Sequence, residues 1–333
     1  MTKHTHRTRL LHSTRAALLS GLLLSAVDSR AQQLPSSTDT ASQPAQIRIE
    51  NVVHAVGLDD KPGGTGDLAF DEKTMTLHVH DHSTAVPLRS ILAFSVAHED
   101  KPLISGTKGK LAEMAPYGVG FAVSMTRPSA DILTLFYRDS SRAIHGCVLV
   151  LPKDSGERVA SALAGVKLSP SGYPKTGDLM PSEPLHKPEI QMAAASIPSR
   201  PSVEVALPSE RIDGLPSAFP AAVYENLVEQ LKQSGLFAHV GRAGDIRRTP
   251  DALVLHVDIE SWKKGSARGR LVPFTGATEI KSRVTLEDAS GRAVFRSEVD
   301  GAKRMKGESL DAANSLAKHV RKELEKTRYL QSN

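Results

Sequence analysis

Apolar and polar positions alternate in two periods along this chain, and the switches between them mark its elements. Over 253–259, Leu253, Leu255, Val257 and Ile259 alternate with Val254, His256 and Asp258. That is the period of a strand with one face packed and most of the other wet. Ile280, Val284 and Leu286 continue the pattern up to Asp288-Ala289-Ser290-Gly291, a turn with its glycine in place, and Ala293, Phe295 and Val299 make the returning strand. Two stretches follow the helical period instead. Phe219, Val223, Leu227 and Leu231 stack four apart with Tyr224 and Val228 beside them, which predicts a helix over 218–234 closed by Gly235. Leu310, Ala313, Ala317, Val320 and Leu324 form one apolar stripe and predict a last helix over 310–328. With Val203–Ala206 and Leu236–Val240 as further strands, the order is β-α-β-β-β-β-α, a two-layer α+β domain.

The preceding stretch reads as short strands ended by one helix. Ile47, Ile49 and Val52-Val53 open it, and Leu68–Phe70 and Met75–Val79 flank the turn-rich Asp71-Glu72-Lys73, a hairpin signal. Ile91–Ala97, Val119–Met125, Ile132–Tyr137 and Cys147–Leu151 supply further strands. A closing helix is expected over 154–164, with Asp154 as its N-cap and Val159, Leu163 and Val166 facing inward. In element order this antiparallel sandwich or barrel closed by a helix resembles the pleckstrin-homology superfold.

The first thirty-one residues have a different grammar. Lys3, Arg7, Arg9 and Arg15 precede an apolar run, Ala16–Val27, and the small-residue pattern Ser29-Arg30-Ala31 follows. This is the layout of a signal peptide cleaved near Ala31. The run is too short for a membrane span, which takes about 20 residues. Residues 32–45, rich in Ser, Thr, Gln and Pro, read as a disordered leader. Seven prolines between Lys167 and Pro201 exclude helix and sheet interiors and predict an extended linker over 167–201. The folded parts are then 46–166 and 202–330, in line with the length of the chain.

Charge and cysteine usage narrow the function classes. The chain carries +5, but residues 1–31 hold five basic side chains and one acid, so the remainder is close to +1. A near-neutral exported chain has little electrostatic reason to bind nucleic acid or anionic lipid. Cys147 is the one cysteine, so no intrachain disulfide forms, and its apolar run reads it as a buried small hydrophobe. No cysteine stands after the signal to carry a lipid anchor, and no later segment has membrane-spanning length. The expected location is periplasmic or secreted.

The stretch from Leu215-Pro216 to Ser234-Gly235-Leu236-Phe237, then Leu253–Ile259, then Gly265 with Arg270 and Gly276 before a long hairpin, resembles a bacterial envelope family of unknown function. Its members are exported or lipoprotein-like and share a helix ending in a small turn, a strand, and a Gly-x-x-x-x-Arg element, here Gly265–Arg270. The likeness covers about 120 residues and departs at Pro273-Phe274-Thr275-Gly276. The family is similar to the α+β domains of envelope assembly lipoproteins and to the TolB amino-terminal region. The resemblance implies protein contacts at the envelope and carries over no catalytic residue.

Three patterns could carry chemistry. His78, His80 and His82 alternate, so on one strand all three would project to the same side and could hold zinc or copper, as in a metal-binding protein or metal-dependent hydrolase. The competing reading is a solvated strand whose wet face uses histidine. Ser105-Gly106-Thr107-Lys108 and Lys175-Thr176-Gly177 match pieces of the penicillin-recognising serine enzymes, but neither sits in the helix or strand that chemistry needs. Trp262, Lys263, Lys264, Arg268 and Arg270 form a basic hairpin tip with one aromatic, suited to an acidic partner, and Lys303–Lys306 would extend it if the strand ends adjoin. Its plainer reading is a solvated loop with Trp262 folded back onto the sheet.

The sequence therefore predicts an exported, non-catalytic envelope protein that binds an envelope protein or polymer, with no cofactor and no nucleic acid. A metal site on the histidine strand and a small-ligand pocket between sheet and helices are the alternatives.

Overall fold

A computed structural model describes residues 47–58, 62–79, 81–99, 129–165, 174, 200–210, 212, 214–245, 247, 249–263, 278–303 and 310–327. All of them belong to one unit, Gln43–Asn333. The signal and leader, the strand expected over Val119–Met125, both serine-enzyme patterns and nearly all of the proline segment lie outside the described residues. What is described is a mixed α+β fold, mostly antiparallel, with three helices.

The first half is one sheet of seven strands: β1 (Ile47–Val56), β2 (Thr65–Phe70), β3 (Thr74–Val79), β4 (His82–Pro87), β5 (Ile91–Glu99), β6 (Ala130–Arg138) and β7 (Ile144–Pro152). They lie in the order β4-β3-β2-β1-β7-β6-β5, with antiparallel neighbours throughout. Asp71 makes the expected hairpin turn, its Oδ1 accepting from the backbone N–H of Lys73 and of Thr74 at 2.7 Å each. Helix α1 (Gly156–Ala164) buries Val159 and Leu163 in a core with Leu68, Leu77, Leu133, Leu149 and Cys147. Burial drives the Cys147 thiol pKa up, so it stays protonated and inert.

The cap of α1 differs from expectation. Asp154 sits in the turn before the helix in left-handed backbone (φ 63°), and Ser155 is the capping residue without a side-chain bond. The carboxylate comes from β6 instead. Asp131 Oδ2 accepts the Gly156 N–H at 2.7 Å, while its Oδ1 lies 2.7 Å from His98 Nδ1. A sheet-borne carboxylate thus answers one of the unpaired donors of the helix start.

The second half has β8 (Ser202–Val205), β9 (Ser209–Glu210), α2 (Ala218–Ser234), β10 (His239–Arg242), β11 (Leu253–Lys263), β12 (Thr278–Glu287), β13 (Ala293–Lys303) and α3 (Asp311–Lys326). The sheet order is β10-β8-β11-β12-β13, with short β9 against β11. β8 runs parallel to β10 and β11, whereas β11, β12 and β13 form an antiparallel meander. α2 ends where its pattern predicts, with Gly235 in left-handed backbone at φ 64°. The stripe of α3 is buried from Leu310 to Leu324.

Helix α2 joins the halves, since it is buried on more than one face. Phe219, Val223, Leu227 and Leu231 belong to one core with Val205, Leu255, Val257 and Val284 of the second sheet and with Leu316, Ala317 and Val320 of α3. The other side of α2 meets β6 and β7, where Ile132, Phe136, Ile144 and Val148 enter the same core. These two strands are therefore buried on both faces, because Leu133, Leu135, Cys147 and Leu149 point into the first core. Gly146 makes the close approach possible: a methyl there would lie 3.3 Å from the Ala221 Cβ. Ser217 Oγ, at the start of α2, bonds Ser95 Oγ of β5.

Candidate functional site

Polar side chains are buried where α2 crosses β7, and Tyr224, Glu225 and Arg242 link them into one network. Tyr224 donates its phenol proton to the Ile144 carbonyl at 3.0 Å and accepts from the Ala243 N–H at 3.0 Å. The Ile144 N–H completes the link by donating to the Ala243 carbonyl at 2.9 Å. Burial, and after it the charge of Glu225, raises the Tyr224 pKa well above the ordinary phenol value, so it remains a donor. Glu225 Oε1 accepts the Gly146 N–H at 2.7 Å, and Oε2 pairs with Arg242 of β10 at 2.5 Å. Burial opposes the Arg242 charge, but Glu225 outweighs it and raises its pKa.

Beside this crossing lies a cleft of about 420 Å³, lined by the β6–β7 turn, the end of α2, and β10 with the turn after it. Asp139 anchors one wall. Its Oδ1 accepts from the Ser141 N–H, the Ser141 hydroxyl and the Ala143 N–H at 2.7–2.9 Å, and its Oδ2 lies 3.1 Å from His145 Nε2. Burial works against the Asp139 charge, but the bonds from Ser141, His145 and Ala143 outweigh it and hold the carboxyl below its usual value. The His145 ring stacks on Tyr137 with centroids 5.1 Å apart. Burial, then the nearby Arg242 charge, pushes its pKa below the ordinary imidazole value. It is therefore neutral near pH 7, and since Asp139 only accepts, Nε2 carries the proton.

The opposite wall holds Asp245, whose side chain is 3 % exposed, in a two-pronged pair with Arg247 at 2.7–3.2 Å. The hydrogen bonds from Arg247 lower its pKa first, against the effect of burial. Lys232 and His239 stand exposed at the rim. Sequence reading missed this site entirely. Its residues come from four separated elements, and only the apolarity of β6 and β7 on both faces signalled that something covers them.

The residues singled out from sequence fall elsewhere. His78 lies near the end of β3 and His82 opens β4, with the hairpin turn between them, so the three histidines do not share one strand as expected. The register pairs His78 with Ser83 and Val79 with His82. Cross-strand partners share a face, so His78 and His82 belong to opposite faces of the hairpin. His80 lies outside the described residues, and no cluster of metal-binding side chains forms among those described. Trp262 packs its ring against Phe219 of α2, with centroids 5.9 Å apart. Lys263 is exposed at the end of β11, while Lys264, Arg268 and Arg270 lie outside the described residues. β12 pairs Glu279 with Lys263 and Thr278 with Lys303, so the ends of β11 and β13 flank β12 on opposite sides and do not pair with each other.

Comparison with known proteins places a family on the second half. Residues 189–305 match the family described as Domain of unknown function (DUF4410). No curated protein matches the chain. Among solved structures, the chain is similar to a PelC dodecamer from Paraburkholderia phytofirmans at 19% identity, covering 40% of this chain and 90% of that one, with a TM-score of 0.28. A hypothetical protein from Chlamydia trachomatis is similar at 11% identity, with 40% and 100% covered and a TM-score of 0.29. A minor lipoprotein from Acinetobacter baumannii is similar at 11% identity, with 39% and 95% covered and a TM-score of 0.27.

Proposed function

We propose that this chain is an exported, non-catalytic protein of the cell envelope that works by binding, with the cleft between β7, α2 and β10 as its principal binding site. Its first sheet with α1 acts as a pleckstrin-homology-like platform, and the domain of unknown function supplies the other wall. The supporting observation is the arrangement of Ser141, Asp139 and His145. Asp139 and His145 line the cleft, and the Ser141 hydroxyl donates to Asp139 rather than to the imidazole. A serine nucleophile needs its proton taken by the base, with the carboxylate behind that base. Here the carboxylate sits between the two, which rigidifies the turn and activates nothing. No described helix is long and apolar enough to cross a membrane.

The test has two arms. Ester, phosphate and glycoside substrates are offered to the wild type and to Asp139→Asn/His145→Gln, with and without added zinc. Equal, background rates are expected, and turnover lost in the variant would overturn the non-catalytic reading. In parallel, the tagged chain is used to capture envelope components. Loss of capture in Lys232→Gln/His239→Gln assigns binding to the cleft. Loss only in Lys263→Ala/Lys264→Ala/Arg268→Ala/Arg270→Ala would move the site to the basic hairpin.

A further inference from the structure

We propose that a second copy of this chain docks on the free edge of β13, joining the two second sheets into one through an antiparallel β13–β13 ladder centred on Ser297. This goes beyond the cleft and is independent of it. β13 runs for 11 residues and ends its sheet, with β12 on one side and no strand on the other among the described residues. A long edge without a proline is a template for another strand. In an antiparallel ladder the N–H and C=O of one residue point the same way, and alternate residues point to opposite sides. His319 Nδ1 of α3 donates to the Asp300 carbonyl at 2.6 Å, so the outward residues are Asp300, Glu298 and Arg296. The same bond closes the edge at Asp300, and the irregular register before Phe295 closes its other end. The Glu298 carbonyl accepts the Ser297 hydroxyl at a long 3.4 Å, which leaves room for a stronger donor.

Register decides the occupant. A two-fold axis at Ser297 sets Arg296 opposite Glu298 of the second copy, and Glu298 opposite its Arg296, on the wet face where both are exposed. On the helix side it sets Phe295, which is only partly buried against the core, opposite Val299. Opposite charges, and an aromatic against a β-branched residue, are favoured cross-strand pairs. An axis at Arg296 or at Glu298 would instead set like charges face to face. Charges on an edge normally repel an incoming strand. These two cancel in one register, and the strand that supplies it is β13 itself.

Sedimentation equilibrium of the purified chain tests this. A dimer is expected, with a dissociation constant in the micromolar range, since one short ladder makes a small interface. Arg296→Glu and Glu298→Arg each set like charges opposite one another and should weaken the dimer about tenfold. Mixed in equal amounts, the two variants should regain it, because every facing pair is then of opposite sign. That recovery also shows that both variants are folded. Arg296→Glu/Glu298→Arg in one chain should dimerise like the wild type, and so should Lys232→Gln/His239→Gln, which keeps this test apart from that of the cleft. A wild type that stays monomeric, an oligomer larger than two, a dimer indifferent to both single changes, or a mixture that fails to recover overturns the inference. In the first case, envelope capture lost in Arg296→Glu would assign the edge to a foreign strand instead.

Discussion

The Tyr224 hydroxyl lies 3.0 Å from the Ile144 carbonyl, tying the middle of α2 to the first residue of β7 across 80 positions of sequence. The same oxygen accepts the Ala243 N–H, so one phenol satisfies two backbone groups from opposite halves of the fold. Tyr224→Phe keeps the ring and orphans both groups. Leaving buried partners unpaired costs about 1–3 kcal/mol, so urea unfolding should show a loss of that size with an unchanged m-value.

Glu225 sits beside it with its side chain 7 % exposed. Glu225→Ala strands Arg242 as a buried charge and removes the acceptor for Gly146, which should destabilise by about 3–5 kcal/mol. Glu225→Gln retains that acceptor and should lose less. Equal losses by denaturant titration would mean that charge pairing is not what Glu225 contributes.

Gly301 of β13 lies directly under α3. A methyl there would come within 2.6 Å of both the Ala312 carbonyl oxygen and the Leu316 Cβ, so the helix must shift. Overpacking of this kind costs about 1–3 kcal/mol. Gly301→Ala should lower the unfolding midpoint, whereas Gly291→Ala, which meets no atom but has φ of 79°, should cost only backbone strain.

Acid should unfold the protein in two stages. His145 has its folded pKa below the ordinary 6.5, so unfolding takes up a proton there, and stability complete above 6.5 falls as pH drops toward the folded value. Asp139 is likewise held below 3.8, so its contribution persists above that value and disappears only as pH falls through the lower folded pKa. Thermal midpoints measured from pH 8 to pH 3 should therefore decline first near pH 6 and again below pH 4. His145→Gln should abolish the first decline and spare the second.

Much of the local structure was legible in the sequence. The bounds of α2, the αL cap at Gly235, the turn at Asp288–Gly291 and the buried stripe of α3 all follow from short-range patterns that backbone geometry enforces. The strand β4 was not legible, because His80-Asp81 carries no glycine or proline to mark a turn, and His78–His82 looks like one continuous strand. The cap of α1 was misread for a related reason: Asp154 precedes the helix in sequence, but Asp131 reaches its first N–H from another element. The cleft depends entirely on such long-range encounters. Asp139, Lys232 and Arg242 have ordinary surface composition until α2 docks. Its second stripe (Ala221, Ala222, Glu225) consists of small and polar residues that do not announce a second packed face.

Burial of β6 and β7 on both sides also sets an order of events for a chain made from its amino terminus. Both strands are complete long before α2 exists, since the nearest tie between them spans about 80 residues. Until then Ile132, Phe136, Ile144 and Val148 have no cover, and a sheet face of that kind readily finds another chain. The nascent protein therefore has a window of vulnerability that closes only when the helix lands. Variants that slow that landing should appear first as lower yield, before any defect is measurable in molecules that have already folded.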